Sequence, residues 1–236
     1  MEWFLANSGM VMGLAGQHLV LALIPMVLGL VISIPLAQLA RTHPALRSVV
    51  VTASSLLYTV PSLALFIILP SILGTRILDP LNVIVALTIY AVALLVRAAL
   101  DAFDSVEEDL RQAAIAMGYK PWFRFVQIDL PLSLPVMFAG LRVVSVSNIS
   151  LVSVAALLGV GNLGMLFTDG LQRNFVTEVV VGIIAILVLA LLMDAVLVVL
   201  ERLLTPWTRP AKASGPAAPS AASYLADANI HTGAAP

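Results

Sequence analysis

The chain has 236 residues, 61% of them hydrophobic and only 11% charged, with mean hydropathy +1.05 and net charge −1. That composition belongs to the membrane class and offers no basic surface for nucleic acid. The absence of cysteine excludes disulfides, thiolate metal sites and cysteine nucleophiles.

The N-terminal "MEWFLANSGM" carries an acid at Glu2, and the first basic residue is Arg41. It lacks the positive region of a secretory signal, so the first apolar run is expected to be retained as a span. A span needs about 20 apolar residues. Five runs qualify: His18–Ala40, Val49–Leu73, Leu81–Leu100, Leu132–Leu158 and Val176–Leu200. Backbone groups in lipid must pair within their own segment, and the runs are continuous rather than alternating, so all five are expected to be helices. The fold class is an all-α membrane protein.

Pro61 interrupts the second run and frees a backbone carbonyl near Tyr58, Thr59 and Ser62. Two readings stay open there: a broken helix lining a cavity, or an ordinary kink packed against neighbours. In the fourth run Asn148, Ser150 and Ser153 are read as one polar face, serving either interhelical hydrogen bonds or a pathway. Charged side chains in lipid are costly. Arg97 and Asp101 in the third run, Arg142 in the fourth and Asp194 in the fifth are therefore expected to snorkel or pair. Arg142 is expected to pair with Asp194 or Asp101 and brace the bundle.

Between the third and fourth runs lies "DSVEEDLRQAAIAMGYKPWFRFVQIDLP". Ser105 and Glu108 have the spacing of a capping box, and Glu107 and Asp109 suit a helix start. Leu110, Ala113, Ala114 and Met117 fall at i, i+3, i+4 and i+7, one helical face, and Gly118 suits a C-terminal cap. The small Ala113 and Ala114 let another surface approach the backbone. Pro121 can open a second helix, with Pro131 and Pro135 marking the passage into the fourth span. An interfacial helix anchored by Trp122 and Phe123 and a docking element for a partner are both compatible with this pattern.

With five spans, "RTHPALR", the 104–131 segment and everything after Leu200 share one side. They carry eight Lys and Arg, against Arg76 and Arg173 on the other side. The positive-inside rule makes the first side cytoplasmic and places the N-terminus outside. "GVGNLG" then lies on the outer side, where a flexible turn is expected rather than a phosphate loop. The Ala-, Pro-, Ser- and Gly-rich tail is expected to be a disordered cytoplasmic extension.

The spacing Gln112-Ala113-Ala114, three residues, Gly118, nine residues, Ile128, one residue, Leu130-Pro131 resembles the EAA loop of bacterial ABC importer permeases. Gln112 stands where that pattern prefers Glu, and it cannot make an ion pair. The resemblance implies a type I importer permease, a five-span bundle with cytoplasmic coupling helices between spans three and four. It also implies that Gln112, Ala113, Ala114, Met117, Gly118, Ile128, Leu130 and Pro131 meet the groove of a separate ATPase dimer. ATP and Mg would sit on that partner, with no cofactor or metal in this chain. An extracytoplasmic binding protein, a second permease copy or paralogue, and membrane lipid complete the implied partners. Residues 1–204 would be the permease domain, 104–131 its coupling segment and 205–236 the tail, in the bacterial cytoplasmic membrane.

"LLYTVPSLALFIILP", "VAALLGVGNLGMLFTDGLQRNF" and "DAVLVVLERLLTPW" further resemble the permeases for glycine betaine, carnitine and choline. Permeases for methionine, alkanesulfonate or nitrate share the loop and form the alternative. A P-loop needs G-x-x-x-x-G-K-[ST], and the only lysines, Lys120 and Lys212, are followed by Pro121 and Ala213. An intramembrane enzyme would need a nucleophile–base pair or metal ligands at depth, yet His18, His43 and His231 are scattered and no HExxH occurs. A secondary transporter would be expected to show coupled carboxylates or an internal repeat, and neither is visible.

Overall fold

A computed structural model describes residues 2–208. The tail expected to be a disordered cytoplasmic extension lies, beyond Thr208, outside the described residues. Residues 1–205 form one compact unit. The described part of the second unit is a single 3₁₀ turn, Pro206–Thr208.

Helices α1 (Glu2–Ala6) and α2 (Ser8–Ala40) open the chain, so the first spanning helix starts ten residues earlier than its apolar run. Then come α3 (Pro44–Thr59), α4 (Ser62–Leu73) and α5 (Pro80–Asp104). Next are α6 (Glu108–Ala116), α7 (Pro121–Arg124), a π-helical turn (Phe125–Asp129) and α8 (Leu130–Val154). A short α9 (Met165–Gln172), absent from the sequence reading, precedes α10 (Val176–Leu204). No strand occurs among the described residues. Boundaries follow local chemistry. Pro44 and Pro80 occupy first-turn positions, and Asp79 caps α5 by accepting from the Leu81 amide at 2.9 Å.

Four helical stretches are long and apolar enough to cross a membrane, and α3 with α4 makes a fifth bent by 100°. The residue before proline is pushed out of the helical region. Val60 and Pro61 both take extended geometry (ψ 130°), so two successive extended residues turn the chain instead of kinking one helix. The pair crosses instead of doubling back. At the α3 start, Arg47 meets Asp104 at one end of α5, and after α4 the Asn82 side chain, at the other end, donates to Arg76.

The bundle centres on α5, which lies against α2, α3 and α8, while α10 covers α8. Lipid supplies little hydrophobic drive between helices, so close contact depends on small residues. At Gly29 of α2 an added Cβ would come within 2.6 Å of the Ala91 Cβ on α5, and Gly140 of α8 presses likewise on Ala98. The remaining surface is rich in exposed Leu, Ile and Val, most of all along α10. The "GVGNLG" stretch is a packed corner and not a loose turn. Asn162 and Leu163 are fully buried, and the Asn162 side chain spans the Val160 carbonyl and the Gly164 amide.

Candidate coupling and pathway sites

The 104–131 segment is not built quite as its punctuation suggests. Ser105 does not start α6. It is the C-cap of α5, with its hydroxyl on the Ala102 carbonyl. No capping box forms, because α5 runs on to Asp104 and α6 begins only at Glu108, without a side-chain cap. The far end behaves as expected. Gly118 has φ +82°, its amide donates to Ile115 and the Tyr119 amide to Ala114, a Schellman closure.

Pro121 does open a helical turn, but no second, separate helix follows. From Pro121 the chain is helical without interruption to Leu158. Pro131 has no amide to give and crowds the carbonyl four residues back. The π turn just before it shifts the register, and Leu130 bonds Phe125 five residues back.

Arg111, which the sequence reading passed over, holds this segment in place. Its Nε donates to Asp129 Oδ1 at 2.8 Å, its Nη2 to the Phe103 carbonyl, and its Nη1 lies 3.4 Å from Glu108. Asp129 is buried and also has Arg124 at 3.8 Å. One guanidinium thus ties α6 to the end of α5 and to the π turn. An acid between two apolar residues, Ile128-Asp129-Leu130, was the available signal. Arg41 of the turn between α2 and α3 and Arg47 of the first turns of α3 join in, at 3.7 and 2.6 Å from Asp104. Arg41 also lies over the Phe103 ring, which meets Phe125 edge to face.

Ala113 and Ala114 do not share a free face. Ala114 is fully buried against its own chain, while Ala113 is exposed, as helical rotation requires of adjacent residues. Gln112 is exposed and donates to Glu108 at 2.7 Å. That bond, more than neighbouring Arg111, holds the Glu108 carboxyl below the usual carboxylate range. Ile128, Leu130 and Pro131 are half-buried and face the bundle. Around exposed Gly118 the free surface is apolar: Leu110, Ile115, Met117, Trp122, Phe123 and Val126, with Met117 and Trp122 each 69% exposed. An exposed apolar patch among charged neighbours fits both readings of this segment, a docking element and an interfacial anchor.

At membrane depth the predicted polar face of α8 does not exist. Two residues turn a helix by about 200°, so Ser150 is exposed while Asn148 is buried, donating to the Ala22 carbonyl of α2. Ser153 is half-buried and bonds back to the Ser150 carbonyl. His18 of α2 returns the Asn148 contact, its Nε2 2.9 Å from the Ile149 carbonyl. Each helix therefore grips the backbone of the other. His18 counts as a packing residue, and among the described residues no group of His, Asp and Glu could hold a metal.

Tyr58 and Pro61 are exposed and Ser62 is half-buried at the break between α3 and α4. Arg97 donates to the Val51 carbonyl at 3.1 Å, bracing α3, while Asp101 lies exposed one turn on. Arg142 takes Asp194 and not Asp101 as its partner, through two bonds at 2.6 and 2.8 Å.

Residues 20–209 match the family described as binding-protein-dependent transport system inner membrane component. The chain is 34% identical to the osmoprotectant import permease protein OsmW of Salmonella typhimurium, over 87% of this chain and 96% of that one. It is 28% identical to the glycine betaine/carnitine/choline transport system permease protein OpuCB of Bacillus subtilis, over 87% and 94%. Its fold matches a chain of the MetNI methionine ABC transporter in an inward-facing conformation, with TM-score 0.67 and 19% identity, over 84% of this chain and 96% of that one. The matched span takes in both α6 and the broken pair, and the chain belongs to the family of binding-protein-dependent transport system inner membrane components.

Proposed function

We propose that this chain is the membrane-spanning permease subunit of an ATP-driven importer for small quaternary ammonium osmoprotectants of the glycine betaine, carnitine or choline type. The observation that carries the reading is the apolar surface of α6 and the following turn, exposed at the basic end of the bundle and anchored by Arg111. In this reading the surface seats in an ATPase dimer on the cytoplasmic side, where ATP and Mg are bound by the partner. Gln112, Ala113, Met117 and Gly118 are on the contact, while Ala114, Ile128, Leu130 and Pro131 set its shape.

The eight-to-two charge bias supports a cytoplasmic coupling end and an N-terminus outside. The relatives named for osmoprotectant, carnitine and choline transport support the substrate class. An extracytoplasmic binding protein delivers the ligand, and a second permease completes the route, since up to five spans are too few to enclose one.

The test is reconstitution. Proteoliposomes holding this chain and its ATPase should accumulate labelled glycine betaine only with ATP and a loaded binding protein. Accumulation driven by an ion gradient without any ATPase would overturn the reading.

A further inference from the structure

Tyr58 and Tyr90 meet where α3 and α4 part. Their rings stand edge to face, with centroids 5.9 Å apart and planes at 89°. The Tyr90 hydroxyl donates to the Val60 carbonyl at 2.5 Å, so one ring is fastened to the break itself. Tyr90 lies ten residues from the Pro80 end of α5 and fourteen from its Asp104 end. At the helical rise these are about 15 Å and about 21 Å, which puts the aromatic pair near mid-depth.

That depth is wrong for an anchoring tyrosine, because anchoring aromatics sit at the headgroup level. Tyr58 is nevertheless 45% exposed, and its hydroxyl has no hydrogen-bond partner among the described residues. An unpaired hydroxyl in hydrocarbon is costly. Polar space on the exposed side of Tyr58 would remove that cost.

At the break the ring, and not a helix end, favours a cation. Helix α3 ends at Thr59 and α4 begins at Ser62, so the negative pole of one helix and the positive pole of the next both lie at the gap and largely offset each other. Tyr90 is buried, so Tyr58 alone presents a negative π face to that space. No charged side chain occurs from Ser48 to Thr75, so selection there rests on the ring and not on a carboxylate. A primary ammonium would need several acceptors for its N–H groups. A trimethylammonium group needs none, spreads its charge over methyls and suits an aromatic wall.

We propose that the break between α3 and α4 is a recognition site for a trimethylammonium group, with Tyr58 supplying the ring contact and Tyr90 holding it in position. The proposal rests on the quaternary ammonium permease reading and locates its selectivity inside the membrane, in addition to any external binding protein.

The experiment uses the complex with its ATPase in nanodiscs, without binding protein, and saturation-transfer NMR of glycine betaine, which reports weak binding. Wild type should show saturation of the methyl signal. Tetramethylammonium should compete, and the uncharged isostere 3,3-dimethylbutan-1-ol should not. Tyr58→Leu should weaken binding by about two- to thirtyfold, the span of a cation–π contact, while Tyr58→Phe stays within about twofold. ATPase activity and assembly of both variants report folding. No binding to wild type, equal binding by an assembled Tyr58→Leu complex, or equal competition by the neutral isostere would each overturn the proposal. Failure of ATP-dependent uptake in wild type would instead remove the permease reading, so the two failures are distinct.

Discussion

Arg142 on α8 and Asp194 on α10 face each other through two parallel bonds, Nε to Oδ1 and Nη2 to Oδ2. This is the fork geometry that makes an arginine–carboxylate pair directional as well as attractive. The two residues lie 52 positions apart in sequence, and α10 covers α8 where they meet. Between Glu178 and Glu201 the pair holds the one charged side chain of α10, so it fixes the rotation of a stretch whose apolar surface could slide.

Reversing one charge should therefore be worse than reversing both. Arg142→Asp and Asp194→Arg are each expected to reduce folded protein in the membrane, and the double exchange should recover a substantial part of it. Fluorescence-detected size exclusion with a thermal ramp checks this. A double exchange no better than either single variant would show that the pair does not brace the bundle.

Gly118 is set by its backbone angle and not by crowding. A Cβ there would meet nothing within 4 Å, yet φ is +82°. Gly118→Ala should cost about 1–2 kcal/mol of local order in α6 through left-handed strain alone, without loss from the membrane. Uptake per ATP hydrolysed is expected to fall, and Gly118→Asn, which tolerates this region, should fall less. Equal coupling ratios in the alanine variant and wild type would refute a role for the cap in coupling.

Arg111 should behave as a positioning residue. Removing it leaves Asp129, whose side chain is only 3% exposed, with Arg124 at 3.8 Å as its remaining cation, so the cost should fall below the ~3–5 kcal/mol of a fully broken buried pair. Arg111→Ala is expected to reach the membrane but to lose ATPase association. Arg111→Lys should restore only part of it, since one ammonium cannot reach Asp129 and the Phe103 carbonyl in the same fork. Co-purification of the ATPase with each variant provides the readout, and full retention with Arg111→Ala would sink the assignment.

The bond from Gln112 keeps the Glu108 carboxyl low. A carboxyl lowered in the folded state stabilises above its ordinary range, and that contribution disappears as pH falls through the lowered value. Gln112→Glu exchanges the donor for a second carboxylate one turn away. It should raise the Glu108 midpoint and start the acid loss at higher pH. A carboxyl ¹³C titration of glutamate-labelled protein should show the move, and an unchanged midpoint would contradict it.

Much of this architecture can be read from the chain because lipid imposes it. Continuous apolar runs must be helices, and the ends marked by Pro44, Pro80 and Gly118 fall where backbone chemistry puts them. Three things were hidden. Ser105 fits a capping box, but α5 takes one more turn and claims it. Val60-Pro61 announces an interruption, but the 100° angle depends on both residues being extended. Arg111 and Asp129 are eighteen positions apart across a turn, a distance no helical period reports. The rotation separating Asn148 from Ser150, by contrast, was legible from helical periodicity.

The π turn has a mechanical consequence. From Pro121 to Leu158 the backbone is one helical rod of 38 residues, about 57 Å long at the helical rise. A torque applied at Trp122 reaches Arg142 and Ser150 without crossing a loop that could absorb it. Two softer joints lie on the way, the wide turn at Phe125–Asp129 and Pro135 inside α8, and Arg111 is bolted to the first through Asp129. In the importer reading such a rod would act as a crankshaft, with its bearing beside the handle and its working end among the packed helices.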